Sequence, residues 1–258
     1  MYYLSKGLQE KGFKSLGNIL AYMFAIFCIF ASLGGGNMFQ VNQSLDLLIY
    51  VTGGNGSFLD LHSWVYGSII AILVGLVIIG GIKRIGSVTS KLVPSMAVIY
   101  LVSALIIIFS NYNQIPSAIS SIFIGAFSPE GVTGGFLGVL ILGFRRAVFS
   151  NEAGIGSAPI AHSAVKTDDP TTEGLVSLLE PFVDTVIICT LTALVIITSG
   201  VYITGQEIEG ARMTSQAFGT VLPTFPYLLA LVATLFAFST MISWSYYGLQ
   251  SWMYVFGK

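Results

Sequence analysis

FSNEAGIGSAPIAH, residues 149–162, puts Asn, Glu, two Gly, two Ser, Pro and His into a chain that is otherwise overwhelmingly apolar. Working outward, the 258 residues are 54% hydrophobic and 9% charged, with a mean hydropathy of +0.83. A soluble domain is roughly half apolar but about a quarter charged. The composition identifies an all-α polytopic membrane protein. The net charge of −1 is uninformative about partners, and no basic face points to nucleic acid. Cys28 and Cys189 both fall within apolar runs and read as small hydrophobes rather than a disulfide or metal pair.

A bilayer-spanning helix takes roughly 20 mostly apolar residues. Five stretches qualify: 16–39, 64–82, 92–109, 175–197 and 227–247. Positive residues accumulate in short cytoplasmic loops. Lys6, Lys11 and Lys14 precede the first stretch, Lys83, Arg84 and Lys91 separate the second from the third, Lys166 precedes the fourth, and Lys258 ends the chain. Asp46, Asp60, Glu130, Glu207 and Glu209 fall in the alternate loops, with Arg212 as their basic residue. The alternation requires one more pass between residues 109 and 166. The chain then crosses about six times, with both ends in the cytoplasm and Asp60 and Glu207 outside.

That extra pass is the opening run and its surroundings. Residues 134–144 (GGFLGVLILGF) are apolar but too short to span, and Arg145, Arg146 and the polar run follow. Backbone without helical hydrogen bonds is tolerated at membrane depth only where protein buries it or a wet cavity receives it. Gly154 and Gly156 break a helix and admit close approach to the main chain, and Pro159 suits the first turn of a restarted helix. Discontinuous helices of this kind form substrate and ion sites in secondary transporters. The alternative is an external loop followed by a short interfacial helix.

The run GFRRAVFSNEAGIGSAPIAHSAVKTDDP resembles the signature of the alanine or glycine:cation symporters, the sodium:alanine symporter family. GGGNMFQVNQ (34–43), LLEPFVDTVIICTLTAL (178–194), FSTMISWSYYG (238–248) and the opening MYYLSKGL resemble the same family's other landmarks, in order and over essentially the whole chain. The resemblance implies sodium-coupled symport of small neutral amino acids across a bacterial or archaeal cytoplasmic membrane, by a monomer. It also implies a LeuT-type fold of two inverted repeats with helices 1 and 6 broken. Residues 1–111 then correspond to helices 3–5 and end the first repeat, while 112–258 correspond to helices 6–8 and begin the second. Family members are considerably longer, so the chain reads as a partial transporter domain, a fragment lacking broken helix 1.

A zwitterionic amino acid needs donors for its carboxylate, acceptors for its ammonium and a small apolar pocket. Asn37 and Gln40, at i and i+3, share a helical face, and Gly34–Gly36 permit close helix approach. Gln40 is the expected carboxylate donor, a role the resemblance supports; bonding of Asn37 and Gln40 across helices is the alternative. In the break, carbonyls near Phe149, Ser150, Asn151 and Glu152 can accept from the ammonium, with Gly154, Gly156 and Ser157 supplying adaptable backbone. Glu152 needs a partner at membrane depth: Arg145, Arg146 or a neighbouring hydroxyl. Ser239, Thr240 and Ser243 lie on about one face of the last helix, and Na⁺, the coupling ion, prefers such oxygens. The resemblance matches Ser239 and Thr240 to a sodium-binding hydroxyl pair, and places Trp244 facing the centre, limiting side-chain size. The alternative has the hydroxyls bonding back to their own helix and Trp244 anchoring an interface.

Glu180 and Asp184, one turn apart, fit either a proton or cation path or a structural ion pair. His62 and His162 stand at helix ends, where water or headgroups normally receive them, and neither has metal-ligand spacing. Residues 116–127 are too short to span and read as an interfacial helix. A channel would need a ring of like residues, and an enzyme a nucleophile with its base or a metal set. Within carriers, the runner-up is a LeuT-type protein with another substrate or with a proton as coupling ion.

Overall fold

The computed structural model describes residues 1–127, 138, 140–144, 150–203 and 210–257. Every regular element among them is helical. Among the described residues, four helices are long and apolar enough to cross a membrane: Lys14–Val51, Gly81–Ser110, Pro170–Ser199 and Phe225–Phe256. A fifth apolar helix, Ser63–Ile78, is shorter.

The expected boundaries shift in instructive ways. The first span does not end at residue 39 but runs on to Val51. Its glycines are absorbed in a π-helical segment, Gly34–Met38, so Asp46 lies on a helix and not in a loop. The stretch expected at 64–82 closes at Ile78. Gly81, with φ of 66°, opens the next helix at once, because glycine adopts the left-handed turn without a Cβ penalty. Lys83, Arg84 and Lys91 therefore sit, exposed, on the first turns of Gly81–Ser110 rather than in a connecting loop. The 175–197 stretch begins earlier, at Pro170, with Asp169 as N-cap accepting the Thr171 N–H at 2.9 Å, the arrangement an Asp-Pro pair favours. Arg212 is in the helix Ala211–Gly219. Gly134, Arg145, Arg146, Phe149, Glu130, Glu207, Glu209 and Lys258 lie outside the described residues.

The chain divides into two compact units. The first comprises Met1–Ser95 and Ala233–Lys258. Along Lys14–Val51, the small residues Ala21, Ala25, Cys28, Ser32 and Gly36 recur at helical spacing, and small residues let backbones approach closely in a membrane. The last helix uses that stripe in antiparallel sense: the Cys28 Sγ is 3.9 Å from the Tyr247 carbonyl oxygen. A Cβ on Gly248 would sit 2.5 Å from the Ser32 Oγ, and one on Gly36 would sit 2.4 Å from the Trp244 Cβ. Tyr66, Ile70, Ala237 and Met241 form one buried apolar cluster, and Val77, Ile85 and Ile242 another. Inside this apolar setting the Tyr66 hydroxyl donates to the Ser44 Oγ at 2.8 Å, and Ser44 donates to the Gln40 carbonyl at 2.7 Å. The Tyr66 and Ser44 protons thus both have acceptors.

The second unit is Met96–Val232. Phe218, 1% exposed, meets Tyr100 and Phe225 at ring distances of 5.6 and 6.4 Å. Thr192 donates to the Ile188 carbonyl, so Tyr100 is the donor in its short bond to the Thr192 hydroxyl. Ile115–Phe127 is a separate 13-residue helix.

Candidate functional site

In the second unit the helix breaks between Ile155 and Ala158. Asn151 takes up extended backbone, and its side-chain oxygen accepts the Gly154 N–H at 2.8 Å, capping the single turn Glu152–Ile155. Gly156, with φ of 87°, closes that turn in the left-handed region, a conformation costly to any residue with a Cβ. Ala158–His162 restarts the helix with Pro159 in its first turn. Gly154 is different: it lies within the helical turn.

The expectation of freed carbonyls at the start of the run needs correction at two positions. The Asn151 oxygen accepts from the Ile155 N–H at 3.4 Å, and the Glu152 oxygen accepts from the Gly156 and Ser157 N–H groups at 2.9 and 3.0 Å. The Glu152 oxygen is thereby filled, while the Asn151 oxygen, with one long bond, keeps a lone pair. Of the partners considered for Glu152, the neighbouring hydroxyl is present, as Ser157 donates to its carboxylate.

Glu180 and Asp184 both bond to residues of the break. Glu180 Oε1 accepts the backbone N–H of Glu152 at 2.8 Å. Asp184 Oδ2 accepts the Ser150 hydroxyl at 2.5 Å and the Asn151 amide at 3.4 Å, and Asn151 also donates to the Thr185 Oγ1 at 3.1 Å. Asp184, Thr185 and Cys189 belong to a second π-helical segment, Phe182–Cys189, directly after Pro181. His162, expected at water or headgroups, instead places Nδ1 2.5 Å from Glu173 Oε1. His62 lies against Phe58, stacked at 4.7 Å.

In the first unit, the π segment changes the relation of Asn37 to Gln40. Bonding from i to i+5 widens the turn, so i and i+3 no longer align as in an α-helix: Asn37 is exposed and Gln40 half-buried. The Gln40 amide donates to the Gly35 carbonyl at 3.1 Å, which leaves its second N–H available as a donor. Trp244, 6% exposed, covers Gly36 and meets Tyr247 edge to face at 5.4 Å. The Ser239 and Thr240 hydroxyls both donate to the Phe236 carbonyl, at 2.9 and 3.0 Å, and Ser243 donates to the Ser239 carbonyl at 3.0 Å. That is the back-bonding alternative. A hydroxyl whose proton is committed in this way presents only lone pairs to its surroundings, the polarity that a cation requires.

Sequence reasoning missed the clamp of Glu173, Glu180 and Asp184 on the break and the π-helical form of both polar segments. The EPFVD and GGGN runs carried the signal, since a proline inside a helix and three consecutive glycines both disturb regular i to i+4 bonding.

The whole chain, residues 1–258, matches the family described as the sodium:alanine symporter family. The sodium/alanine symporter AgcS of Methanococcus maripaludis is 39% identical over 100% of this chain and 55% of its own length. The amino-acid carrier protein AlsT of Bacillus subtilis is 34% identical over 96% of this chain and 50% of its own. A Bacillus subtilis protein named "Probable sodium/glutamine symporter GlnT" is 32% identical over 96% and 49%. The chain spans about half the length of these relatives.

Proposed function

The chain belongs to the sodium:alanine symporter family, and from that premise we propose that it serves sodium-coupled symport of small neutral amino acids, alanine and glycine first. The family and its named members are transporters rather than enzymes. The observation that carries the reading is the helix break at Asn151–Ser157, with Glu152, Glu180 and Asp184 around it. Carboxylates there favour a positively charged group such as a substrate ammonium, while Ser150, Asn151, Gly154, Gly156 and the neighbouring Phe149 are the residues assigned to substrate. In the other unit Asn37, Gln40 and Trp244 are assigned to substrate, with the spare Gln40 N–H as carboxylate donor, and Ser239 and Thr240 supply oxygens to Na⁺. A LeuT-type arrangement, with 1–111 ending one inverted repeat and 112–258 beginning the next, is the fold that goes with this assignment, in a bacterial or archaeal cytoplasmic membrane and as a monomer.

A second reading takes a proton as coupling ion or a larger substrate. The carboxylates at the break favour the first, and the glutamine in the name of one relative favours the second. Uptake of labelled alanine and glycine by proteoliposomes of the native gene product tests the proposal. Accumulation should require an inward sodium gradient and disappear when choline replaces sodium. Accumulation driven by a proton gradient in sodium-free buffer would replace the coupling ion, and uptake of glutamine alone would replace the substrate. Thr240→Ala should raise the sodium concentration for half-maximal uptake several-fold, about one order of magnitude for each 1.4 kcal/mol of lost coordination, at unchanged membrane abundance. Unaltered sodium activation removes Thr240 from the site.

A further inference from the structure

We propose that the Pro170–Ser199 helix is the positioning element of the break, with Glu180 as its central positioning residue and Glu173 and Asp184 on either side. The proposal rests on the transport reading above and deepens it. Glu173 and Glu180 stand at i and i+7, two helical turns apart on one face, and Asp184, inside the π segment Phe182–Cys189, is brought to the same side by its bonds to Ser150 and Asn151. Each holds a different part of the interrupted segment. Asp184 takes the entry, through Ser150 and Asn151. Glu180 takes the first amide of the turn, the Glu152 N–H, while its second oxygen is 4.0 Å from His162 Nε2. Glu173 takes the far end, through the other nitrogen of His162. His162 thus stands with one carboxylate near each ring nitrogen, and the two sides of the break are tied to one helix.

The physical need for such a clamp is plain. The turn Glu152–Ile155 has 4 residues and Ala158–His162 has 5, far below the roughly 12–15 at which an isolated helix becomes even marginal. Neither piece holds its own shape, so the geometry must come from tertiary bonds. A carboxylate accepting a backbone N–H is among the stronger of these. The break and the Pro170–Ser199 helix therefore move as one body, and the substrate-facing backbone keeps its geometry through any conformational change.

Hydrogen-exchange mass spectrometry on peptides covering residues 150–162, in the native gene product, reads the clamp without reference to transport. Glu180→Gln keeps an oxygen for the Glu152 N–H, whereas Glu180→Leu keeps none. Exchange in Glu180→Leu should rise about tenfold or more, and Glu180→Gln should stay within about twofold of the wild type. Sodium-driven alanine uptake on the same preparations should show a raised KM in Glu180→Leu, with Vmax per surface molecule less affected and KM restored in Glu180→Gln. Unchanged exchange in Glu180→Leu overturns the clamp. Raised exchange with an unaltered KM overturns the positioning role, leaving a structural bond only. If the wild type shows no sodium-driven uptake, the transport reading fails, and the exchange result still decides whether the acid holds the break. Should Glu180→Leu not reach the membrane, Asp184→Ala, which removes the carboxylate that accepts the Ser150 hydroxyl and the longer of the two Asn151 amide bonds, is read by the same two measurements with the same decisive outcomes.

Discussion

At position 36 a methyl group has nowhere to go, since its carbon would lie 2.4 Å from the Trp244 Cβ and 2.5 Å from the Trp244 Cγ. Both are atoms at the root of a side chain and cannot swing aside. Gly36→Ala should destabilise the protein by about 1–3 kcal/mol through overpacking, seen as a lower Tm in detergent. Gly34→Ala, where an added Cβ meets nothing within 4 Å beyond its own helix backbone and chain neighbours, should be neutral or mildly stabilising. Equal Tm values for the two variants would sink the close approach. The same contrast separates the glycines of the break. Gly156 is left-handed and Gly154 helical, so Gly156→Ala should cost about 1–2 kcal/mol of strain and lose most alanine uptake at normal abundance. Gly154→Ala should keep the backbone of the break. Near-normal uptake in Gly156→Ala would show that the left-handed turn is dispensable. From the sequence the two glycines were equivalent, and GGG announced close packing without saying which member was touched. Trp244 lies some two hundred positions along the chain from Gly36, and no local pattern encodes that meeting.

At the scale of the element, the lesson lies in the two π segments. An i to i+5 bond encloses one more residue than an α turn, so deleting Gly35 should let Gly34–Met38 relax into regular α-helix. Four α-helical residues turn through about the same angle as five π-helical ones, so the stripe of Ala21, Ala25, Cys28 and Ser32 should keep its register with Ser44 and Leu47. Helix content by circular dichroism and Tm should both stay close to the wild type, while alanine uptake falls, because the widened turn in which the Gln40 amide reaches the Gly35 carbonyl is lost. A deletion variant with wild-type uptake would show that the widened turn is dispensable. All five apolar stretches were legible as helices, because a long run of Leu, Ile, Val and Phe has few alternatives in a membrane. Their ends were not. The hydropathy of 175–197 concealed a start at Asp169 and Pro170, although the pair is a recognisable cap; the Thr171 backbone N–H, and then its hydroxyl, hold the Asp169 carboxyl below its usual range. Likewise Glu180 and Asp184 were legible as unusual acids, but their true partners, a main-chain amide and a serine hydroxyl, become visible only once the break has folded against them.

For the molecule as a whole, the orientation turns on the shortest apolar helix. Ser63–Ile78 has 16 residues, about 24 Å of helix, against a hydrocarbon core of about 30 Å. Reading six crossings from the charge pattern treated this segment as an ordinary span, and much of the sixth lies outside the described residues. The flanks decide whether it crosses. Asp60 belongs to the short helix Phe58–Leu61 before it, and Lys83 and Arg84 stand exposed on the helix that begins at Gly81. A short helix can span by thinning the bilayer locally and letting flanking charged side chains reach the interfaces, at a fraction of a kcal/mol per Å, and cations anchor the cytoplasmic side. Single cysteines at positions 60 and 83, in a background with Cys28 and Cys189 replaced by serine, should therefore react with an impermeant maleimide from opposite sides. Position 60 should be reached from outside and position 83 only after the membrane is opened. If both are labelled from one side, Ser63–Ile78 lies in the membrane without crossing it. The alternation of charges then shifts by one pass, and Gly81–Ser110 must carry its cations to the opposite face from the one assigned.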